Sequence, residues 1–372
     1  MMRITNRVVT EKYLNSLNHI AYDLDYLNQQ TVTGRKFMKV SENTPAAVKA
    51  FQIRRDMKRV EGYQDSLLHA KGMLSNAESS IMHIQELVKD SKVNILYGMN
   101  DTQSVDERRI IAQQLRNMQQ EMLQRLNSNA ADLYYFGGSS VAQEPFQVDT
   151  DGKLMYRYKD GAEFKWIRLE DLHETPDPGI PQPDASYELY KELLSAGLFV
   201  DIGMGIRSEN VPPSPSDAPF VDRNSVFTYT LTGISITGVG MVEMSDGTKV
   251  SNNVYDLLGA IADSFEDRFI DGSGNIETYT HDRVDELFGL LRQREISIQF
   301  SITEVGTKTQ YLNFIKESLD AREYDNTVRQ DDVEGADPAK TIIYFTAQRI
   351  AYQAALQMGT KVIPMSIFDY IR

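Results

Sequence analysis

Histidines are the side chains of this sequence that could most readily bind a metal ion or act as general bases near neutral pH. A zinc site needs them at short fixed spacings, as in His-Glu-x-x-His, so that two rings reach one ion. None of the five has such a neighbour, and each is better explained as a helix-surface or loop residue: His19, His69, His83, His173 and His281. We therefore expect no metal site.

Two short segments partly resemble ligand-binding loops. The Gly-Met-Gly sequence at 203–205 lacks the third glycine and the following helix of a dinucleotide-binding fingerprint. The Asp-Gly-Ser-Gly-Asn-Ile-Glu sequence at 271–277 alternates oxygen-bearing side chains but lacks the sixth-position glycine and twelfth-position glutamate of a calcium loop. We interpret the second segment as a turn. With no phosphate loop and no Gly-x-Ser-x-Gly turn either, the sequence predicts a protein without a catalytic site or cofactor.

Composition narrows the possible partners. The chain has 372 residues and a net charge of −14, so it has no electrostatic reason to bind nucleic acid or an anionic membrane surface. The basic run at 54–59 contains Asp56, and we interpret it as a solvated or subunit-facing surface. The absence of cysteine excludes disulfides and thiolate catalysis.

The sequence predicts neither a membrane-spanning segment nor a secretory signal peptide. No apolar stretch of about 18 residues occurs, which predicts that nothing inserts into a membrane. The segment from Met1 to Thr10 lacks the apolar core of a secretory signal. We therefore expect no cleaved signal peptide, although export by another machine stays possible.

The N-terminal half is predicted to be helical. From Leu14 to Leu27 apolar residues recur every three or four positions, which makes one stripe on a helix running from Ile4 to about Thr31. Asn43-Thr44-Pro45 predicts the start of a second helix, because a polar cap precedes proline at the first helical position. Its stripe alternates spacings of four and three, as in a coiled coil, and could reach Tyr97.

Further helices are predicted along the rest of the chain. The capping box Ser104-Val105-Asp106-Glu107 starts a third helix, whose apolar residues continue to Leu133. Helical periodicity returns at 254–265 and again at 284–319, and Asp337-Pro338 repeats the cap-plus-proline start. The predicted fold is therefore mainly α, a long antiparallel coiled coil or helical bundle built from both chain ends. The stripe of the last helix is Ile343, Ala347, Ile350, Ala354 and Met358.

The middle of the chain, residues 139–250, is predicted to be an inserted β-rich domain, either α+β or all-β. Asp151-Gly152 and Asp160-Gly161 lie beside alternating apolar runs, which is a hairpin signal. We also expect a short helix around 187–194 and a strand over 226–237. Because both ends must pair, this central segment would be an insertion at their tip.

The two ends carry a family pattern. The chain opens with Met-Arg-Ile-Thr-Asn at 2–6 and continues with Gln-Gln-Thr-Val-Thr-Gly-Arg-Lys at 29–36. Ser-Glu-Asn-Thr-Pro-Ala-Ala follows at 41–47 and Tyr-Phe-Gly-Gly-Ser at 135–139, and Ser-Ile-Phe-Asp-Tyr-Ile stands near the end at 366–371. In this order the segments resemble the bacterial flagellin superfamily, and most closely its hook–filament junction proteins, which are hook-associated.

The resemblance implies a non-enzymatic structural subunit of the bacterial flagellum, placed at the hook–filament junction outside the cell. It implies export through the flagellar type III apparatus. It also implies self-association and partners that include neighbouring junction subunits, flagellin and an export chaperone. The terminal helices would form an inner coiled-coil domain, and the long helices would form the next domain outward.

We predict three domains. Residues 1–43 and 337–372 form a terminal coiled-coil assembly domain, 44–138 and 251–336 form a long-helix bundle, and 139–250 form the variable outer domain. An isolated pair of amphipathic helices cannot bury its stripe alone, so we expect the terminal domain to be disordered in the monomer. Its predicted assembly contacts are Ile4, Val8, Leu14, Leu17, Leu24, Ala347, Ile350, Ala354 and Ile367.

Three alternatives stay open from the sequence. The chain could be a filament-forming flagellin, which would grow long filaments from seeds where a junction protein stops at short rings. The central domain could bind carbohydrate or catalyse a reaction, which would require a pocket between Pro145 and Arg223. The chain could also be an unrelated cytoplasmic coiled-coil protein, whose ends would be ordered in the monomer.

Overall fold

The computed structural model describes residues 6–100, 102–160, 163–176, 184–203, 205, 208–209, 220–221, 226–270 and 276–362. In these residues the predicted architecture, mainly α with small antiparallel sheets in the centre, is confirmed. The helices within them are α1 (Asn6–Thr33), α2 (Thr44–Gly98), α3 (Val105–Leu126), α4 (Ala185–Ser195), α5 (Ile234–Thr237), α6 (Val254–Phe265), α7 (His281–Glu334) and α8 (Pro338–Val362).

The strands are short and pair antiparallel throughout the described residues. A three-stranded sheet has the order β3-β4-β5, and the other sheets are two-stranded, pairing β1 with β2, β6 with β9, β7 with β8, β10 with β11, and β12 with β13. In chain order the strands are β1 (Asn129–Ala130), β2 (Leu133–Tyr134), β3 (Phe146–Val148), β4 (Leu154–Asp160), β5 (Glu163–Arg168), β6 (Phe199–Val200), β7 (Ser208–Glu209), β8 (Phe220–Val221), β9 (Phe227–Thr228), β10 (Met241–Glu243), β11 (Lys249–Ser251), β12 (Phe269–Ile270) and β13 (Ile276–Glu277).

The predicted helix starts are confirmed by their caps. Ser104 Oγ accepts a hydrogen bond from the Glu107 amide at 3.3 Å, and the Glu107 carboxylate accepts one from the Ser104 amide at 2.7 Å. Asn43 Oδ1 accepts from the Ala46 amide at 3.2 Å, and Asp337 Oδ1 accepts from the Ala339 amide at 3.0 Å. Each cap satisfies amides that the first helical turn leaves without an intrahelical partner.

The prediction that the third helix continues to Leu133 is wrong. α3 ends at Leu126, and β1 and β2 form a hairpin whose two loop residues, Ala131 and Asp132, have φ angles of 49° and 62°. The Asn127 side chain holds the Phe146 backbone instead, accepting from its amide at 3.0 Å and donating to its carbonyl at 2.9 Å. This long-range pairing stops the helix where the local pattern would allow it to continue.

The prediction of one strand over 226–237 is also wrong. Strand β9 covers only Phe227–Thr228, and 234–237 form the short helix α5. At Gly233 the chain passes so close to the Phe146 ring that a Cβ would lie 2.4 Å from it. Because this segment is buried on most sides, it follows the shape of its surroundings rather than a flat strand with two distinct faces.

The contacts divide the chain into two compact units, residues 1–62 with 319–372 and residues 63–318. In the second unit α3 packs on α6, and nine of the twelve residues of α6 are buried. The coiled-coil stripe of α2 is buried in this unit from Leu67 to Ile95. The division into three domains stays a prediction.

Candidate assembly surface

Helices α1 and α8 pair with each other in the first unit and run antiparallel. The Tyr13 hydroxyl donates to the Ala355 carbonyl at 2.8 Å, and Gln348 Nε2 donates to Asp23 Oδ2 at 3.3 Å. A Cβ at Gly359 would lie 2.3 Å from the Tyr13 hydroxyl, so the absence of a side chain there lets the two helices approach closely.

The contact between them follows a heptad-like seam. The less exposed positions on each helix are spaced alternately by three and four residues, which keeps one face toward the partner helix. On α1 they are Thr10, Tyr13, Leu17, Ile20, Leu24 and Leu27, and on α8 they are Thr341, Phe345, Gln348, Tyr352, Ala355 and Gly359.

The predicted assembly residues fall into three groups. Leu17 and Leu24 are half-buried in the α1–α8 seam. Ile4 and Ile367 lie outside the described residues. The others are exposed on the surface of the pair: Val8, Leu14, Ala347, Ile350 and Ala354.

Helix α8 is apolar on two faces, and α1 covers only one of them. The uncovered face, named here the α8 outer face, is the predicted stripe, and its largest side chains, Ile343, Ile350 and Met358, are 64%, 60% and 60% exposed. Its five residues are Ile343, Ala347, Ile350, Ala354 and Met358. A row of exposed apolar side chains of this length is typical of an interaction site.

The α1–α2 connection and the α7–α8 connection are hydrogen-bonded to each other. The Lys36 amide donates to the Glu334 carbonyl at 2.7 Å, and the Ala336 amide donates to the Gly34 carbonyl at 2.7 Å. Gly34 has a φ of 68°, which an L-residue rarely adopts, so glycine permits the chain to turn there. These bonds fix the α1–α2 connection against the α7–α8 connection, which sequence reasoning did not anticipate.

An ion pair reinforces this crossing. Arg54 of α2 pairs with Glu334, whose side chain is only 6% exposed, and Gln330 Nε2 donates to the same carboxylate at 3.3 Å. Burial disfavours the charged carboxylate, but these hydrogen bonds and the positive charges of Arg54 and Arg35 outweigh it and lower the pKa of Glu334. The paired carboxylate therefore stabilises the first unit at neutral pH.

The second unit contains an open cleft of about 750 Å³, beside α6. Several charged side chains at this cleft form ion pairs: Arg116 bonds Asp263 at 2.5 Å, and Lys153 lies 3.5 Å from Glu170. Asp256 accepts a hydrogen bond from the Leu154 amide at 3.1 Å, and burial raises the pKa of this carboxyl group. The Arg116 and Asp256 contacts join α6 to α3 and to β4.

The described part of the chain has neither a metal-binding cluster nor a membrane-spanning helix. It holds no cluster of three or more histidine, aspartate or glutamate side chains that could bind a metal ion. None of its helices combines the length and apolar character needed to cross a bilayer. The possible calcium loop at 271–275 lies outside the described residues, and Glu277 pairs with Arg283.

Comparison with known proteins finds similarity to a flagellar protein. No family model matches it. The chain is 22% identical over 271 residues to the flagellar hook-associated protein 3 of Salmonella typhimurium, covering 70% of this chain and 84% of that protein. The resemblance predicted from the sequence is confirmed.

A solved structure shows the same fold. A putative flagellar hook-associated protein from Vibrio parahaemolyticus superposes with a TM-score of 0.52 at 14% identity, over 79% of this chain and 100% of that one. The flagellar hook-associated protein 3 of Legionella pneumophila gives a TM-score of 0.47 at 11% identity, over 76% and 98%.

Proposed function

We propose that this protein is a structural subunit of the bacterial flagellum that assembles at the hook–filament junction. The observation that carries the proposal is the α8 outer face, whose apolar side chains remain exposed although α1 already covers the other face of the helix. Burying such a row against neighbouring subunits would provide a hydrophobic driving force for assembly. The similarity to flagellar hook-associated protein 3 supports this assignment.

The proposal includes an extracellular location and export without a cleaved signal peptide. Its partners are neighbouring copies, flagellin and an export chaperone. The protein acts through contacts and not through catalysis. The ion pairs of Arg116 with Asp263 and of Lys153 with Glu170 at the α6 cleft support this, because these charges already neutralise one another.

The test is the substitution Ile350→Asp. A carboxylate on the α8 outer face would have to be buried when subunits associate, at a cost of several kcal/mol. We expect self-assembly, followed by electron microscopy and sedimentation, to be lost while the melting temperature of the monomer is unchanged. Unchanged assembly, or a large drop in monomer stability, would contradict the proposal.

Two further variants make this test specific. Ile276→Asp places the same charge on an apolar side chain that is 72% exposed in the second unit, and we expect it to assemble normally. Leu17→Asp lies in the α1–α8 seam and should reduce assembly, because it disrupts the helix pairing that the assembled subunit needs. Seeded growth of the wild type distinguishes short rings from the long filaments of a flagellin.

Whether the terminal pair is ordered before assembly is tested by limited proteolysis of the monomer with mass mapping. We propose that the ends order on assembly, since the α1–α8 seam buries few side chains completely. Removal of both ends up to the crossing at Gly34 and Ala336, leaving a stable core, is the expected result. Protection of both ends would show that the pair is stable within one chain.

A further inference from the structure

Two helical segments of the first unit have opposite charge. The α2 segment 44–62 contains five lysines and arginines against two carboxylates, and the α7 segment 319–334 contains six carboxylates against two arginines. Both belong to a chain with net charge −14, so the basic segment is a local exception to the acidic surface. A local exception of this kind indicates a surface that binds a specific partner rather than one that only keeps the protein soluble.

Each segment carries an exposed stripe that combines this charge with large apolar side chains. The basic stripe is the set Val48, Phe51, Arg55 and Lys58, which recur at three, four and three residues along one side of α2. Its apolar members, Val48 and Phe51, are 50% and 57% exposed. The Lys58 side chain is 81% exposed and forms a surface ion pair with Glu61, one turn further along α2, at 3.0 Å.

The acidic stripe is the set Tyr324, Asp325, Val328 and Asp332 on α7. Tyr324 and Val328 are one helical turn apart and are 70% and 43% exposed, and both aspartates are exposed. Each stripe therefore offers an aromatic ring, a valine and two like charges over a similar length. The two stripes are therefore opposite in charge and similar in the size of their apolar side chains.

The stripes cannot satisfy each other within one subunit. Arg54, the residue before Arg55, is the one that reaches α7, where it pairs with Glu334. Since successive residues of an α-helix point about 100° apart, Arg55 and the rest of the basic stripe are turned away from that contact. On α7, the buried Leu319 and Asn326 mark the inner side, and Val328 lies about 160° around the helix from Asn326.

We propose that the basic stripe of one subunit docks on the acidic stripe of a second copy of this chain. Such a contact joins two different surfaces, so it repeats from copy to copy and builds a ring or a row rather than a closed dimer. The inference rests on the proposed assembly function and adds to it a second contact, which selects and aligns the neighbouring subunit while the α8 outer face buries apolar area. Charge pairs at such a contact accelerate association and fix its register.

Charge reversal tests the contact with the full-length chain. The double variants Arg55→Glu/Lys58→Glu and Asp325→Lys/Asp332→Lys each place like charges opposite each other in every homotypic contact. We expect each variant alone to associate roughly tenfold more weakly or worse in sedimentation velocity at low salt. An equimolar mixture should associate like the wild type, because copies alternating in a row restore opposite charges at every contact.

Other outcomes separate this inference from the proposed function. If both variants associate normally while Ile350→Asp does not, the stripes are not the contact and the assembly function stands. If each variant fails and the mixture fails too, the segments do not face each other. If the wild type does not self-associate, the occupant of the stripes is a different protein, and the inference is overturned.

A crosslinking measurement gives the geometry independently. The chain has no cysteine, so Phe51→Cys in one copy and Val328→Cys in another introduce one thiol each. On mild oxidation we expect a disulfide dimer in the mixture and little in either variant alone. A mixture that gives no more dimer than the single variants would contradict the contact, even if charge reversal changes association.

Discussion

Helices α6 and α8 are both rich in apolar residues, yet most of α6 is buried whereas α8 leaves one apolar face exposed. α6 is buried over nine of its twelve residues, against α3, β11 and β12. α8 has one apolar face in the α1 seam and leaves Ile343, Ile350 and Met358 in solvent. The difference shows that apolar content alone does not identify a core helix: α6 stabilises the subunit itself, and α8 retains apolar area that only a neighbour can bury.

The contrast between α6 and α8 is tested most directly by replacing one isoleucine in each helix with alanine. Ile261→Ala removes a side chain that is fully buried in α6 and should reduce the free energy of unfolding by about 2–5 kcal/mol. Ile350→Ala removes one that is 60% exposed in α8 and should change it by no more than about 0.5 kcal/mol. Urea unfolding of the full chain measures both. Equal effects would mean that the α8 outer face is packed within the subunit.

Two glycine substitutions test how closely the second unit is packed. Gly233→Ala would place a Cβ 2.4 Å from the Phe146 ring and should lower the free energy of unfolding by about 1–3 kcal/mol. Gly72→Ala is the matched control, because nothing lies within 4 Å of a Cβ built there. This control should stabilise α2 by up to about 1 kcal/mol. Thermal unfolding of the two variants checks the sign, and a stabilising Gly233→Ala would show that this part of the core is loose.

The smallest predicted effect concerns the charged crossing in the first unit. The pKa of Glu334 lies below its ordinary value of 4.5 in the folded chain, so its contribution to stability is present above that value. As pH falls through the lowered pKa the carboxylate is protonated and this contribution is lost. We expect Glu334→Gln to be less stable than the wild type at neutral pH and to approach it in acid. A constant difference across pH, measured by circular dichroism melting, would exclude this linkage.

The starts of the long helices could be predicted from short sequence signals. Ser104 with Glu107, Asn43 with Pro45, and the Asp337-Pro338 pair each act within three or four residues, so no distant contact is needed to read them. The heptad-like stripe of α2 could also be predicted, because the spacing of its apolar residues does not depend on which element packs against it.

The errors occurred where a distant residue decided the local structure. α3 ends at Leu126, where Asn127 bonds the backbone of Phe146, and Gly233 leaves the space that the ring of that same phenylalanine occupies. Neither contact leaves a mark in the residues next to it. Periodicity therefore extended the helix and the strand too far.

The sequence by itself determined where the helices begin, which residues form their apolar stripes, and that the chain resembles flagellar junction proteins. Only the tertiary structure decided which of the two apolar faces of α8 meets α1, and it left the predicted stripe outside. The physical reason is that both faces have helical spacing, so periodicity alone does not say which of them the partner helix covers. The close approach of Tyr13 to Gly359 and the crossing of the two connections select one.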